Sequence, residues 1–143
     1  MTRAECWFVH LSNVAVGGTG LVYGWMRYFA EPADEFAVVN HPWQPELQHA
    51  HILVAPLLVL AVGVVFGPHA LAHLRRGTPR GRRSGWTLLL TAFPMIFSGY
   101  ALQVSEGEAW TTTWMWLHLV TSGLWLGFAF VHPFLPAPRR AKA

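Results

Sequence analysis

Residues 117–132 read LHLVTSGLWLGFAFVH, an apolar run that carries a histidine near each end, His118 and His132. These two lie fourteen residues apart, and at about 100° per residue that spacing falls only about 40° short of four helical turns. In a helix both imidazoles therefore lie on one side, about 21 Å apart along the axis, within a hydrocarbon core about 30 Å thick. Ionisable side chains are costly inside a membrane and usually functional there. The spacing predicts one membrane helix with two functional histidines at two depths.

The composition of the whole chain is typical of a membrane protein. Of its 143 residues, 53% are hydrophobic and only 12% are charged, whereas soluble domains are about 25% charged. Each of four apolar segments is near or above the roughly 20 residues that a spanning helix needs, and they cover about residues 7–29, 50–74, 86–104 and 113–134. We predict an all-α fold in which residues 1–143 form a single integral membrane domain, a four-helix bundle.

Basic and acidic residues are segregated between the connections of these spans. The basic residues, apart from Arg27, lie before span one, between spans two and three and after span four: Arg3, Arg75, Arg76, Arg80, Arg82, Arg83, Arg139, Arg140 and Lys142. Six of the seven acidic residues lie in the other two connections. The positive-inside rule then predicts cytoplasmic termini and a cytoplasmic arginine loop in a bacterial inner membrane, with connections 30–49 and 105–112 outside. We expect no nucleic-acid partner for the arginine loop.

The eight histidines fall into two layers once this topology is assigned. The outer layer holds His41, His49, His51 and His118, and the inner layer holds His10, His69, His73 and His132. A single histidine near a membrane surface is usually only a solvated polar residue. Two matched layers, with a same-face pair on one helix, instead favour two stacked haems whose irons each take axial ligands from two facing helices.

The single cysteine, Cys6, excludes a covalent Cys-x-x-Cys-His attachment. The pattern therefore predicts two non-covalent haems of the b type. Span four would supply one ligand to each, His118 to the outer haem and His132 to the inner one.

The outer partner ligand is predicted at the entrance of span two. His51 lies deeper than His49 and is preferred, with His49 as the alternative. His49 and His41 are otherwise candidates to contact haem propionates or to carry protons.

For the inner haem two partner ligands compete, His10 of span one and His69 of span two. His69 shares a helical face with His51, because eighteen residues make five turns of about 360°. These two histidines would lie about 27 Å apart, against about 21 Å for the pair on span four. This mismatch favours His10, with His69 as the alternative.

The chain resembles the di-haem cytochrome b subunits of respiratory formate dehydrogenases and nickel–iron hydrogenases. The resemblance is carried by the fourteen-residue histidine pair of span four, with small residues between, and by His10, Thr19-Gly20, His51 and Ser98-Gly99-Tyr100. In that family the inner haem is bound by spans one and four and the outer haem by spans two and four. The resemblance thus implies the pairs His10/His132 and His51/His118. Leu11 stands where the family usually has tryptophan, and His69 and His73 are additional.

The resemblance implies an electron-transfer subunit of a larger oxidoreductase rather than an enzyme by itself. Its partners would be a redox subunit on the outer face, an iron–sulfur protein or a cytochrome, and quinone near the cytoplasmic side. His69, His73 and Tyr100 are candidates for the surroundings of the quinone. Arg27 is a candidate to pair with haem propionates, although snorkelling to the interface would also explain it.

Two other classes of function stay open at this point. One is a self-sufficient haem-b oxidoreductase that acts on quinol, superoxide or ferric iron. The other is a haem-free structural or transport subunit whose histidines serve protons or a metal.

Two small-residue motifs, Gly20-x-x-x-Gly24 and Gly123-x-x-x-Gly127, are typical of close helix packing. For Gly123, which lies between the two histidines of span four, clearance for a flat macrocycle is an equal alternative.

Overall fold

The computed structural model describes residues 1–76 and 81–135, and all of the regular structure in these ranges is helical. The elements in chain order are α1 (Arg3–Tyr28), α2 (Gln44–Val65), a π-helical segment (Phe66–Leu71), α3 (Ala72–Arg76), α4 (Arg82–Val104), α5 (Glu108–Val131) and a 3-10 turn (His132–Phe134). The all-α prediction is confirmed for the described residues. Each long helix begins four to six residues before the apolar segment predicted for it.

In α1 and α2 the first turn contains residues that favour a helix start and that hydropathy does not detect. At the start of α1, the Thr2 backbone N–H donates to the Glu5 carboxylate at 2.8 Å, and the Glu5 N–H donates to the Thr2 hydroxyl at 3.2 Å. This reciprocal pair satisfies two of the otherwise unpaired N–H groups of the first turn. In α2 the first turn contains Pro45, whose missing N–H is no loss at that position.

Three helical stretches are long and apolar enough to cross a membrane: Gln44–Arg76, Arg82–Val104 and Glu108–Phe134. Large apolar side chains on them are exposed, as with Leu53 (77%) and Phe93 (74%), and an apolar surface of this kind suits a lipid solvent. Three of the four predicted spans thus correspond to helical stretches that are long and apolar enough to cross a membrane. With 26 residues, α1 has the length to cross, but it is not among the stretches that are also apolar enough.

The chain forms two compact units, Met1–His69 and a second that begins at Ala70. In the first unit α1 packs against α2, and in the second α4 packs against α5. His51, early in α2, contacts Thr19, late in α1. His118, early in α5, likewise contacts Ser98, late in α4. Each unit is therefore an antiparallel helical hairpin, and their assembly into a four-helix bundle remains a prediction.

The α4–α5 hairpin has a heptad register. Ser84, Thr91 and Ser98 follow one another at seven-residue intervals along α4, and all three are buried. On α5, His132, Trp125 and His118 have the same spacing in the opposite direction. Ser84 contacts His132 and Ser98 contacts His118, which places the buried Trp125 at the middle of the seam. Seven-residue repeats of this kind keep one face of each helix on its partner.

The π-helical segment changes an expectation about span two. It contains Pro68 and His69, and a π-helical turn closes one residue later than an α-helical turn. The relation of five complete turns between His51 and His69 assumed a regular α-helix throughout, and it does not apply to a residue inside this segment.

Part of the charge pattern lies outside the described residues, namely Arg80, Arg139, Arg140 and Lys142. The cytoplasmic assignment of the termini and of the arginine loop remains a prediction.

We expect α1 to cross the membrane. Alkaline phosphatase, which is active only when exported, should be active when fused after Asp34 and inactive when fused after Arg76, measured in a bacterial host. Green fluorescent protein at the C-terminus should fluoresce, because that end is expected in the cytoplasm. An inactive phosphatase at Asp34 would mean that α1 does not span.

Candidate functional site

Three of the four preferred ligand histidines are held in the same way against a neighbouring helix. Each ring faces a dipeptide in which a hydroxyl residue precedes a glycine: Thr19-Gly20 for His51, Ser98-Gly99 for His118 and Ser84-Gly85 for His132. All three rings are half-buried. His118 and His132 both contact α4, so the prediction that they share one face of α5 is confirmed.

His51 is anchored to α1 through its Nδ1 atom. This nitrogen lies 3.1 Å from the carbonyl oxygen of Val16 and 3.1 Å from the hydroxyl oxygen of Thr19. A carbonyl oxygen only accepts, so the neutral ring carries its hydrogen on Nδ1. The Thr19 hydroxyl donates its own hydrogen to the carbonyl of Ala15 at 2.8 Å, so its oxygen accepts from His51. Nε2 of His51 then holds the lone pair, which is the state that binds a metal.

His118 repeats this arrangement in the second unit. Its Nδ1 lies 3.0 Å from the carbonyl oxygen of Met95 and 3.3 Å from the hydroxyl oxygen of Ser98. Ser98 donates to the carbonyl of Pro94 in its own helix. On the other side of the ring, the Ser122 hydroxyl lies 3.4 Å from Nε2. Ser122 would therefore have to turn to another rotamer before a metal could take that lone pair.

His132 is held by the shortest of these contacts. Its Nδ1 lies 2.7 Å from the hydroxyl oxygen of Ser84, and Ser84 donates to the carbonyl of Gly81 at 3.0 Å. A carbonyl oxygen only accepts, so when the hydroxyl hydrogen points to Gly81 the imidazole N–H donates to the hydroxyl oxygen. That arrangement gives His132 the same tautomer as His51 and His118.

Glycine is needed beside these rings because each ring occupies the place of a side chain. A Cβ on Gly20 would lie 2.8 Å from Cε1 of His51, and a Cβ on Gly99 would lie 3.1 Å from Cε1 of His118. A Cβ on Gly81 would lie 2.9 Å from Cε1 of His132, and Gly81 also has a φ of +64°, which favours glycine. The packing role predicted for Gly20 is confirmed, and the group it contacts is an imidazole.

The second glycine pair behaves differently. No atom of its own unit lies within 4 Å of a Cβ built on Gly123 or Gly127. Together with Leu124, Phe128 and Val131, these glycines line an open apolar recess of about 370 Å³ on α5. They therefore do not pack against α4, and clearance for a macrocycle at Gly123 remains a prediction.

The other outer-layer histidines lack this arrangement. His41 accepts a hydrogen bond at Nδ1 from the backbone N–H of Trp43 at 3.1 Å, and its ring lies 6.2 Å from that of Trp25. Neutral His41 therefore carries its hydrogen on Nε2, which is the tautomer opposite to that of His51. His49 is exposed on α2.

The remaining candidates occupy varied positions. His10 is half-buried on α1, and it makes no hydrogen bond to the part of the chain that the structure describes. Arg27 is exposed in the last turn of α1, where its backbone carbonyl accepts from the Asn40 amide at 2.8 Å. His69 is half-buried in the π-helical segment, and His73 is exposed on α3.

Tyr100 lies near the C-terminal end of α4. It follows Ser98-Gly99, the pair that faces His118, and lies toward the opposite end of α4 from Ser84, which faces His132. Its role beside a quinone remains a prediction.

Both predicted haem pairs, His51/His118 and His10/His132, take one histidine from each unit, so the pairing remains a prediction. Among the described residues, no group of three or more His, Cys, Asp or Glu side chains is arranged to hold a metal ion. An axially ligated haem iron needs fewer protein ligands than such a group supplies.

The contribution of the hydroxyl residues, Ser84 above all, is not evident from hydropathy or histidine spacing. A usable signal was the dipeptide of serine or threonine followed by glycine, which begins at Thr19, Ser84, Ser98 and Ser122. The first three copies face a histidine of another helix, whereas Ser122 contacts His118 of its own helix.

No protein-family model, curated protein or solved structure matches the chain. The case for function rests on the chemistry of the residues themselves.

We expect Gly20→Ala to lower the free energy of unfolding by about 1–3 kcal/mol, because the new methyl group overlaps the His51 ring. Gly24→Ala is a matched control on the same helix, since no described atom lies within 4 Å of its Cβ position. The control should be neutral, or stabilising by up to about 1 kcal/mol through helix propensity. Denaturant unfolding in detergent micelles measures both, and equal behaviour of the two variants would contradict the contact.

Proposed function

We propose that this protein is a di-haem b-type cytochrome of the bacterial inner membrane. It passes electrons between a redox partner on the outer face and the quinone pool, as a subunit of a larger oxidoreductase. The observation that carries the proposal is the shared state of His51, His118 and His132. Each donates its Nδ1 hydrogen to a neighbouring helix, which leaves Nε2 as the ligand atom. A bound haem would supply a one-electron redox centre, and the chain supplies its axial ligands and apolar surroundings.

The hydrogen bonds at Nδ1 favour ligands over packing residues. Metal-binding histidines almost always donate their second ring N–H to a carbonyl, a carboxylate or a water, which fixes the tautomer and the direction of the ring. The carbonyls of Val16 and Met95 fill this role for His51 and His118. Any buried histidine regains a lost hydrogen bond in this way, and what favours ligation is that the same nitrogen, Nε2, is left for a metal in all three rings.

The equivalence of the two hairpins supports the outer pair. His51 and His118 each lie early in the second helix of an antiparallel hairpin and face a hydroxyl–glycine pair of the first helix. Two imidazoles in the same state are suited to opposite sides of one iron. His49 is exposed and lacks this environment, so we propose His51 with His118.

For the inner haem we propose His10 with His132. The shared face that favoured His69 assumed a regular α-helix, and the π-helical segment interrupts that helix at His69. The ligand spacing on span four and the resemblance favour His10, which is half-buried on α1. We propose His69 and His73 as the surroundings of the quinone and Arg27 as a propionate contact, with α1 as a fourth span and both termini cytoplasmic.

The purified protein should contain two b-type haems per chain, both extractable with acidified organic solvent because no thioether holds them. His118→Ala and His132→Ala should each lose one haem and keep the other near its original reduction potential. Pyridine haemochrome spectra and redox titration measure these quantities. A chain without haem, or two variants that both retain the full complement, would contradict the proposal.

The inner ligand can be identified by low-temperature electron paramagnetic resonance of the oxidised protein. We expect His10→Ala to convert the inner haem from low spin to high spin, because one axial ligand is lost. His69→Ala should keep that haem low spin and slow quinone turnover. A high-spin signal in the His69 variant alone would make span two the source of both partner ligands.

A further inference from the structure

We propose that Thr19, Ser84 and Ser98 are positioning residues that set the tautomer and the basicity of the imidazoles of His51, His132 and His118. The expected effect on reduction potential rests on the proposed function, whereas the expected tautomers do not depend on bound haem. Each hydroxyl lies against Nδ1 of its histidine, at 3.1, 2.7 and 3.3 Å respectively.

The direction of these hydrogen bonds follows from how each hydroxyl is used. A hydroxyl has a single hydrogen, and in each case a carbonyl of its own helix receives it. The acceptors are Ala15 for Thr19, Gly81 for Ser84 and Pro94 for Ser98. The oxygen can then only accept from the imidazole. Because the hydroxyl hydrogen is already bonded to a carbonyl, the histidine must carry its own hydrogen on Nδ1.

The consequence for a metal-bound imidazole is electronic as well as steric. An acceptor at Nδ1 increases the electron density of the ring and makes Nε2 a better donor, and a better donor favours ferric over ferrous iron. The three hydroxyls should therefore lower the reduction potentials of the haems that their histidines bind. The effect should be largest at Ser84, which makes the shortest contact. At His51 and His118 a backbone carbonyl also accepts from Nδ1 and would remain after mutation.

His118 provides an internal comparison, because serines lie at both of its ring nitrogens. Ser98 lies at Nδ1 and Ser122 lies 3.4 Å from Nε2, the proposed ligand atom. The two serines should thus have opposite effects. Ser98 supports ligation, whereas the Ser122 hydroxyl competes with the iron for the same lone pair.

The test compares hydroxyl-deleting variants of the full chain in lipid nanodiscs. Ser84→Ala should reduce haem retention at the His132 site on the order of 10-fold, which is typical when an outer-shell partner is lost, and should raise the reduction potential of that haem. Ser98→Ala should raise the potential of the haem at His118, whereas Ser122→Ala should not weaken retention there. Thr19→Val should raise the potential of the haem at His51, and Thr19→Ser, which keeps the hydroxyl, should restore it.

Thr91→Val is the matched control for a buried hydroxyl on the same face of α4. The Thr91 hydroxyl donates to the carbonyl of Thr87 in its own helix at 2.7 Å, and we expect its variant to leave both potentials unchanged. Equal shifts in Thr91→Val and Ser84→Ala would reduce the role of Ser84 to general packing and overturn the inference. So would equal effects of Ser98→Ala and Ser122→Ala.

A second readout does not depend on haem. Nitrogen-15 NMR of histidine-labelled apoprotein in nanodiscs distinguishes a protonated Nδ1 from a protonated Nε2. We expect Nδ1–H for His51, His118 and His132, with a mixture of tautomers at His132 in Ser84→Ala. An unchanged tautomer of His132 in Ser84→Ala would overturn the inference even if haem is bound. The absence of haem together with the expected tautomer change would refute the proposed function and leave the positioning role intact.

Discussion

The hydrogen bond from an imidazole Nδ1 to the neighbouring helix is the interaction on which each hairpin depends. A polar ring between apolar helices loses its hydration, and without a partner that loss costs on the order of 2–7 kcal/mol. His51, His118 and His132 recover it from carbonyl and hydroxyl oxygens that α1 and α4 already expose along one face. In a lipid environment no water is present to replace these partners.

Close approach of the helices follows from this requirement. Nδ1 reaches an oxygen of the neighbouring backbone only if the ring occupies the volume that a side chain would take. Gly20 and Gly99 leave that volume open. In the second unit, the ladder of Ser84, Thr91 and Ser98 against His132, Trp125 and His118 repeats at heptad spacing. Polar contacts at its two ends therefore define one register, and a slip by one residue would separate both histidines from their hydroxyls.

The two units differ in a way that bears on function. Both hairpins present the same arrangement, with His51 in one and His118 in the other. His132 repeats it on α5, while His10 has no hydrogen bond within the described residues. In the proposed cytochrome, the outer haem would have two equivalent ligands and the inner haem two different ones. Different ligand environments give two haems of one chain different potentials, and such a difference gives electron transfer across a membrane a direction.

Sequence alone determined the features that depend on a single helix. Fourteen residues between His118 and His132 place both on one face, because an α-helix has a fixed rotation per residue. The apolar runs indicated four candidate spans, of which three are helical stretches long and apolar enough to cross a membrane, and the single Cys6 excluded covalent haem attachment. These inferences need no knowledge of a neighbouring helix.

Only the tertiary structure decided which nitrogen of each histidine carries the hydrogen, because the partner atom belongs to another part of the chain. Thr19 lies 32 residues from His51, and Ser84 lies 48 residues from His132. His41 and His51 have opposite tautomers, because one ring accepts a backbone N–H and the other donates to a carbonyl. The direction of side chains late in span two could likewise not be predicted from the periodicity of the sequence, since the π-helical segment around Pro68 adds a residue to one turn. Repeats in a sequence report the direction of side chains around one regular helix, whereas hydrogen-bond direction and irregular turns depend on which atoms the folded chain brings into contact.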